Sequence, residues 1–493
     1  MFNSLKFSPS GVWPSTPSLA TKLAITVAIC LGASAFWFLK PAQSKNKADL
    51  LEYVREQEKI IRSSRSLRTR ARPNERLKHY FGVSNGFTTA EHKVRITFSN
   101  DAVSLMKKAI GIGPNDESSS QNWMGLWTAA KKYSAEFIKH HSQPSLNLAR
   151  LVQYVTLKVS VLYLFADDDR WQNALENPNM GPLFEQLGKE INDTWIASKH
   201  NDGSYNNFIN SKLYSILNAI IPGIISPDPG NSQALQNPED NPMNWLLPAY
   251  ETMWRVVMRC VIEILYRGWP RGSEWRMTLQ DYLTPTDGRI SGAGFKKKTR
   301  DSASAINIVK EALRLYPPSR RIHRHIDSTW LQYVAELLLT RLFTRRLFDS
   351  EGNPAVKKAD IEKCHHSKLF GRDPLIFRPE RWENIEAEHE TLETTNPTEH
   401  EAFEAYRKSI GRPEADLKTY EQYLGFMPFA KICPSDKTET YAFGMRMIAL
   451  LTGVLCNALS DWKLEDENAL PAKETPLSSD REAYPDLTLV RSS

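Results

Sequence analysis

Four residues in this chain have the type and spacing to do chemistry together. Cys433 lies in FMPFAKICPSDKTETYAFGMRMIALL (426–451), between Pro428 and Pro434 and ahead of an apolar helical run. Such a thiol is either a small buried hydrophobe or a ligand or nucleophile, and the loop alone does not choose. Glu311 and Arg314 sit three apart in KEALRLYPPSRRIHRHI (310–326), on one face of a helix that Pro317 and Pro318 end. Taken alone they are a surface ion pair of little consequence. Arg381 follows in DPLIFRPERWEN (373–384), a turn rich in proline and aromatics.

The elements that must hold these residues are mostly helical. LNLARLVQYVTLKVSVLYLF (146–165) and FINSKLYSILNAIIPGII (208–225) carry apolar residues at three- and four-residue spacing. A proline-rich loop (226–244) precedes a long apolar helix over 245–267, in which Pro242 and Pro248 are expected to shorten or kink the first half. Another helix ends at LRLYPP, and short strands are expected near 320–328 and 480–492. STWLQYVAELLLTRLFTRRLF (328–348) reads as an amphipathic helix.

With 493 residues and 41% hydrophobic content the chain can build a large core, and a net charge of +6 calls for no nucleic-acid partner. Its five scattered cysteines form no disulfide framework and no metal-ligand spacing, which points to a reducing compartment. Residues 23–39 (LAITVAICLGASAFWFL) are uncharged over a length that just spans a bilayer. The basic residues after Lys40 outnumber those before it, placing the bulk of the chain on the cytosolic side. A cleaved signal peptide and a buried helix are the competing readings. The expected organisation is a luminal segment 1–22, a transmembrane anchor 23–39, a basic linker 40–75 and a folded domain 76–493.

The order Glu-x-x-Arg within EALRLYPP, then FRPERW, then a cysteine loop before a helix resembles the cytochrome P450 family of haem-thiolate monooxygenases, from about residue 76 to the end. The wording EALRLYPP, FRPERW and RMIALL is similar to the filamentous-fungal branch. The resemblance implies a mostly α fold with small β-sheets, preceded by one transmembrane helix. It implies that Glu311, Arg314 and Arg381 form a buried structural triad, tolerable because each charge is paired. Cys433 would ligate the iron of haem b, where a thiolate pushes electron density towards bound oxygen and favours O–O cleavage. Glu251 and Thr252, in PAYET (248–252), match the family's acid–alcohol pair that moves protons on the distal side. Arg324, Trp127, Lys131, Phe429 and Lys431 fall where the family contacts its cofactor. Cys456 and Cys364 keep the bland reading.

The cysteine loop departs from the family's F-x-x-G-x-R-x-C-x-G. Phe429 is four residues before Cys433 rather than seven, Ala430 and Lys431 stand in place of the glycine and arginine, and Ser435 replaces the last glycine. A re-shaped proximal loop, loss of haem, and a sequence error at this loop are the three readings. The resemblance implies an oxygen-inserting enzyme of the endoplasmic reticulum membrane, acting on a lipophilic secondary metabolite. Its electrons would come from NADPH through a separate reductase, with cytochrome b5 as a further candidate donor. The alternatives are a haem-thiolate isomerase or dehydratase, or a haem-deficient accessory protein of the same fold.

Overall fold

Long apolar stripes with few strand-forming runs make this chain pack helix on helix. The computed structural model describes residues 46–62, 71–110, 117–141, 145–200, 208–223, 241–285, 290, 292–298, 303–325, 356–430 and 441–492. The expected anchor 23–39, the 328–348 helix, and Lys431 and Cys433 lie outside the described residues. Among those described, no helix is long and apolar enough to cross a membrane.

In chain order the helices are α1 (Lys47–Arg62), α2 (Arg76–Phe81), α3 (His92–Ile110), α4 (Glu117–His141), α5 (Leu148–Leu164), α6 (Asp169–Glu176), α7 (Gly181–His200), α8 (Lys212–Ile220) and α9 (Met243–Leu265). They continue as α10 (Gly272–Leu283), α11 (Gly292–Lys296), α12 (Ala305–Leu315), α13 (Ile361–His365), α14 (Arg381–Thr395), α15 (Pro397–Ser409), α16 (Leu417–Tyr423) and α17 (Tyr441–Ala458). Strands β1 (Leu146–Asn147), β5 (Thr488–Arg491) and β4 (Trp462–Leu464) form one antiparallel sheet in that order. Strands β2 (Arg321–His325) and β3 (Val356–Asp360) form a second, with Arg321 opposite Asp360 and His325 opposite Val356.

Helix starts follow from local side chains. Asn147, Asp168, Ser211, Asp360, Asn396 and Asp416 each accept a hydrogen bond from a first-turn N–H, at α5, α6, α8, α13, α15 and α16 respectively. At the other end of α2, Gly82 takes a left-handed φ of 62°, and a Cβ there would lie 2.6 Å from the Phe208 ring. The centre of the core is α9, buried on nearly every face and packed on α5 and α17. Helix α4 packs on α5 and α17, and α10 and α12 pack on α17 as well.

One expectation is corrected here. Helix α9 begins at Met243 and runs through Pro248 without interruption, so neither proline shortens it. Pro242 stands before the first turn, where its missing N–H costs nothing. Pro248 cannot donate to the carbonyl of Asn244, but Nδ2 of Asn85 does so instead, at 3.0 Å. Asn244 Oδ1 in turn accepts from the Ser84 N–H at 2.8 Å, and Asn241 Nδ2 donates to the carbonyls of Phe81 and Gly82.

Helix α1 belongs to the same body as the elements that follow, its inner face packed against them. Helix α1, expected as basic linker, buries Leu51, Val54 and Ile61 along one stripe while Lys59 and Arg62 stay exposed. Gln57 Oε1 accepts the Asp360 N–H at 3.0 Å, closing α1 over the β2–β3 sheet. Val54 also abuts Gly425, whose φ of 101° brings the backbone close.

Candidate functional site

Glu311 is the hub of a buried charge cluster. Its Oε1 accepts from Arg314 Nη2 at 2.8 Å, from Arg381 Nε at 2.8 Å and from the Arg378 N–H at 2.9 Å. Its Oε2 accepts from Arg314 Nε at 3.0 Å and Trp382 Nε1 at 3.1 Å. The two arginines spend their remaining donors on backbone. Arg314 Nη1 reaches the carbonyls of His365 and Pro374, and Arg381 reaches those of Phe370, Asp373 and Ile376. The structure thus brings all three predicted residues together and adds Trp382, the tryptophan of FRPERW. Burial alone would raise the Glu311 pKa, but the Arg314 and Arg381 guanidiniums outweigh it and hold the carboxyl below its usual range.

His365 joins this cluster to the chain that leads into the cysteine loop. A carbonyl can only accept, so the 3.2 Å contact from Nδ1 to Arg314 O requires Nδ1–H. Nε2 then accepts the Met427 N–H at 2.8 Å. Both contacts fit the neutral ring, and burial, with Arg314 and His366 nearby, pushes the His365 pKa down to about 3. Phe429 is half-buried against the core close to Gly444 of α17, and Ala430 has a left-handed φ of 52° where the described chain stops.

The acid–alcohol pair is spoken for. Glu251 is buried, accepts from Trp254 Nε1 at 3.3 Å and forms an ion pair with Arg481 of the C-terminal segment. Thr252 Oγ1 donates to the Pro248 carbonyl at 3.0 Å, back along the helix. One and two turns further, Arg255 and Arg259 donate to the carbonyls of Pro318, Ser478, Ser479 and Asp480, stapling that segment to α9.

Arg324, on β2, is buried with only two carbonyl contacts, to His323 at 3.1 Å and Ile61 at 3.4 Å. Its Nε has no partner, no carboxylate among the described residues pairs with it, and burial lowers its pKa. Lys131 is exposed, its ammonium 4.4 Å from the Trp127 ring, so this predicted pair makes its contact with itself. One turn earlier, buried Trp123 donates to the Tyr282 hydroxyl at 3.1 Å and lies under Arg446 of α17, 4.5 Å from its ring.

Sequence reasoning missed His365, Trp123, Arg446 and Arg481. Trp123 was detectable, being four residues before Trp127 and so on the same helical face. The stripe Leu51, Val54, Glu58, Ile61 was equally detectable in α1. His365 and Arg481 carry no local signal, since their partners lie far away in the chain.

Cys260, Cys364 and Cys456 are free and buried. Burial pushes the Cys260 and Cys364 thiols up to about 12, and Cys456 upward as well, the opposite of what a thiolate ligand needs. Among the described residues no group of His, Cys, Asp and Glu could hold a metal ion.

No family model matches this chain. No curated protein matches it either. Among solved structures, those similar to it include cytochrome P450 heme domains. The heme domain of cytochrome P450DA is 11% identical, covering 88% of this chain and 85% of that one at a TM-score of 0.42. A triple mutant of that domain gives 12%, 88%, 84% and 0.41.

Proposed function

We propose that this protein is a haem-thiolate monooxygenase that oxidises a lipophilic small molecule, with iron held by Cys433 and electrons supplied from NADPH by a separate reductase. The observation that carries the reading is the buried Glu311–Arg314–Arg381 cluster, tied through His365 to the chain entering the Cys433 loop. That is the support a proximal loop needs to hold a ligand in place. Arg324 fits the cofactor: a buried guanidinium with an unpartnered Nε suits a propionate. When bound, a haem-thiolate supplies the activation of O2. Phe429 and Lys431 precede the ligand, and residues 23–39 would anchor the enzyme in the endoplasmic reticulum membrane with its body in the cytosol.

The purified full-length protein, expressed with haem supplied, is expected to give the red-shifted ferrous–CO band of thiolate ligation. Cys433→Ala should abolish the band, whereas Cys456→Ala, in a buried helical position, should keep it. A ferrous–CO spectrum without that band in the parent protein defeats the proposal.

A second reading has its own support. Glu251 is committed to Arg481 and Thr252 to the Pro248 carbonyl, so neither is free to hold a water chain. That arrangement suits a haem-thiolate isomerase or dehydratase, which needs no proton relay to oxygen. Thr252→Ala separates the two. As a monooxygenase the variant should consume NADPH with product yield reduced about 10-fold or more, the scale of a lost acid–base group. As an isomerase or dehydratase its turnover should be unchanged.

A further inference from the structure

The C-terminal segment, α2 and α7 bring together a cationic cluster around one indole. Trp195, on α7, has two guanidiniums on its ring: the Arg481 Cζ at 4.3 Å and the Arg76 Cζ at 5.8 Å from the centroid. The ring of Phe81 stands 6.1 Å away and completes an aromatic wall. Lys199, one helical turn beyond Trp195, is exposed at the rim. The first residue of α2 and the chain after Asp480 therefore converge on one indole of α7.

The charges do not balance. Arg481, with its side chain only 9% exposed, pairs with Glu251, but Arg76 and Lys199 have no acidic partner among the described residues. Burial and the neighbouring Arg481, Arg255 and Arg76 bring Lys199 down to about 8, with Asp480 alone opposing. Burial lowers Arg76, and Arg481 falls to about 9 through burial and the neighbouring Arg76. Two buried donors, Arg76 Nε and Trp195 Nε1, have no hydrogen-bond partner. Unpartnered buried N–H groups beside unneutralised cations are costly, and an anion supplies what both lack.

We infer that Arg76, Lys199, Arg481 and the Trp195 N–H form a binding site for the carboxylate of a lipophilic ligand. A carboxylate offers oxygens in one plane, matching a guanidinium fork and an adjacent indole donor. Arg481 already takes one carboxylate, from Glu251. The lipophilic part of this assignment rests on the proposed function, and the anionic part rests on the cationic cluster and its unpartnered N–H groups alone.

Calorimetric titration of the full-length protein with decanoate, decanol and inorganic phosphate tests it without using redox chemistry, so the outcome does not depend on the ferrous–CO result. Decanoate should bind about 10-fold more tightly than decanol, the size of one charge-assisted contact. Arg76→Gln and Lys199→Gln should each weaken decanoate several-fold and leave decanol unchanged. Lys199 is exposed, so its variant folds whatever Arg76→Gln does. Raising salt should weaken decanoate in the parent more than in either variant. Equal binding of decanoate and decanol, absence of decanoate binding, phosphate binding as tight as decanoate, or unchanged decanoate affinity in both variants each overturns the assignment.

Discussion

Replacing Glu311 with glutamine is expected to destabilise the protein by about 3–5 kcal/mol, the cost of leaving buried cations without their counter-charge. Glutamine keeps the shape and one acceptor oxygen. It loses the charge that two guanidiniums face, and its NH2 group points at donors. Five hydrogen bonds converge on the carboxylate, from Arg314, Arg381, Trp382 and the Arg378 N–H. Urea unfolding at pH 7 reads the change as a lower midpoint. The pH dependence has a defined sign. The folded pKa of Glu311 is lowered, so its contribution is fully present above the unfolded carboxyl value, about 4.3, and is lost as pH falls through the folded value. A Glu311→Gln protein as stable as its parent would mean that the cluster is neither buried nor paired as described.

The second large effect is acid sensitivity centred on His365. Its folded pKa is depressed to about 3, against about 6.5 unfolded. Its contribution is therefore complete above pH 6.5, shrinks as pH falls below that value, and levels off below pH 3. Between pH 7 and pH 4.5 the imidazole accounts for about 2–3 kcal/mol of lost stability. His366 next to it is also lowered by burial and acts in the same direction. Buried Glu263 and Glu421 have raised values and act in the opposite sense. A comparison with His365→Gln cancels these neighbours. The variant should be less stable at pH 7, because the Met427 N–H and the Arg314 carbonyl lose a well-placed partner. It should also show a shallower decline towards pH 4.5. An identical decline in both proteins would show that His365 does not titrate between the two states.

What the sequence made legible was whatever rests on short-range spacing. The pair Glu311 and Arg314 is one helical turn apart, and α5, α9 and α12 follow from their apolar stripes. Strands β2 and β5 fall inside the two stretches expected to be extended. The ion pair of Glu251 with Arg481 was not legible, because 230 residues separate the partners and each looks like an ordinary surface charge. Helix α1 was hidden by its lysines and arginines, which line the outward face of a helix whose inner face is apolar. Trp127 and Lys131 matched a pattern in spacing, with lysine in place of the arginine, yet the buried tryptophan of that helix is Trp123, since burial depends on which face meets α17.

The proline inside α9 has a consequence beyond that helix. By withholding one N–H it leaves the Asn244 carbonyl available, and the amide of Asn85 occupies it from another part of the chain. What would be a defect in an isolated helix thus becomes an address that tells the segment around residues 84–88 where to dock. The missing donor and the docking site are one feature, so an alanine at position 248 would restore the helical hydrogen bond by competing with Asn85 for the same oxygen. Completing the ladder and loosening its neighbour are inseparable outcomes of a single substitution.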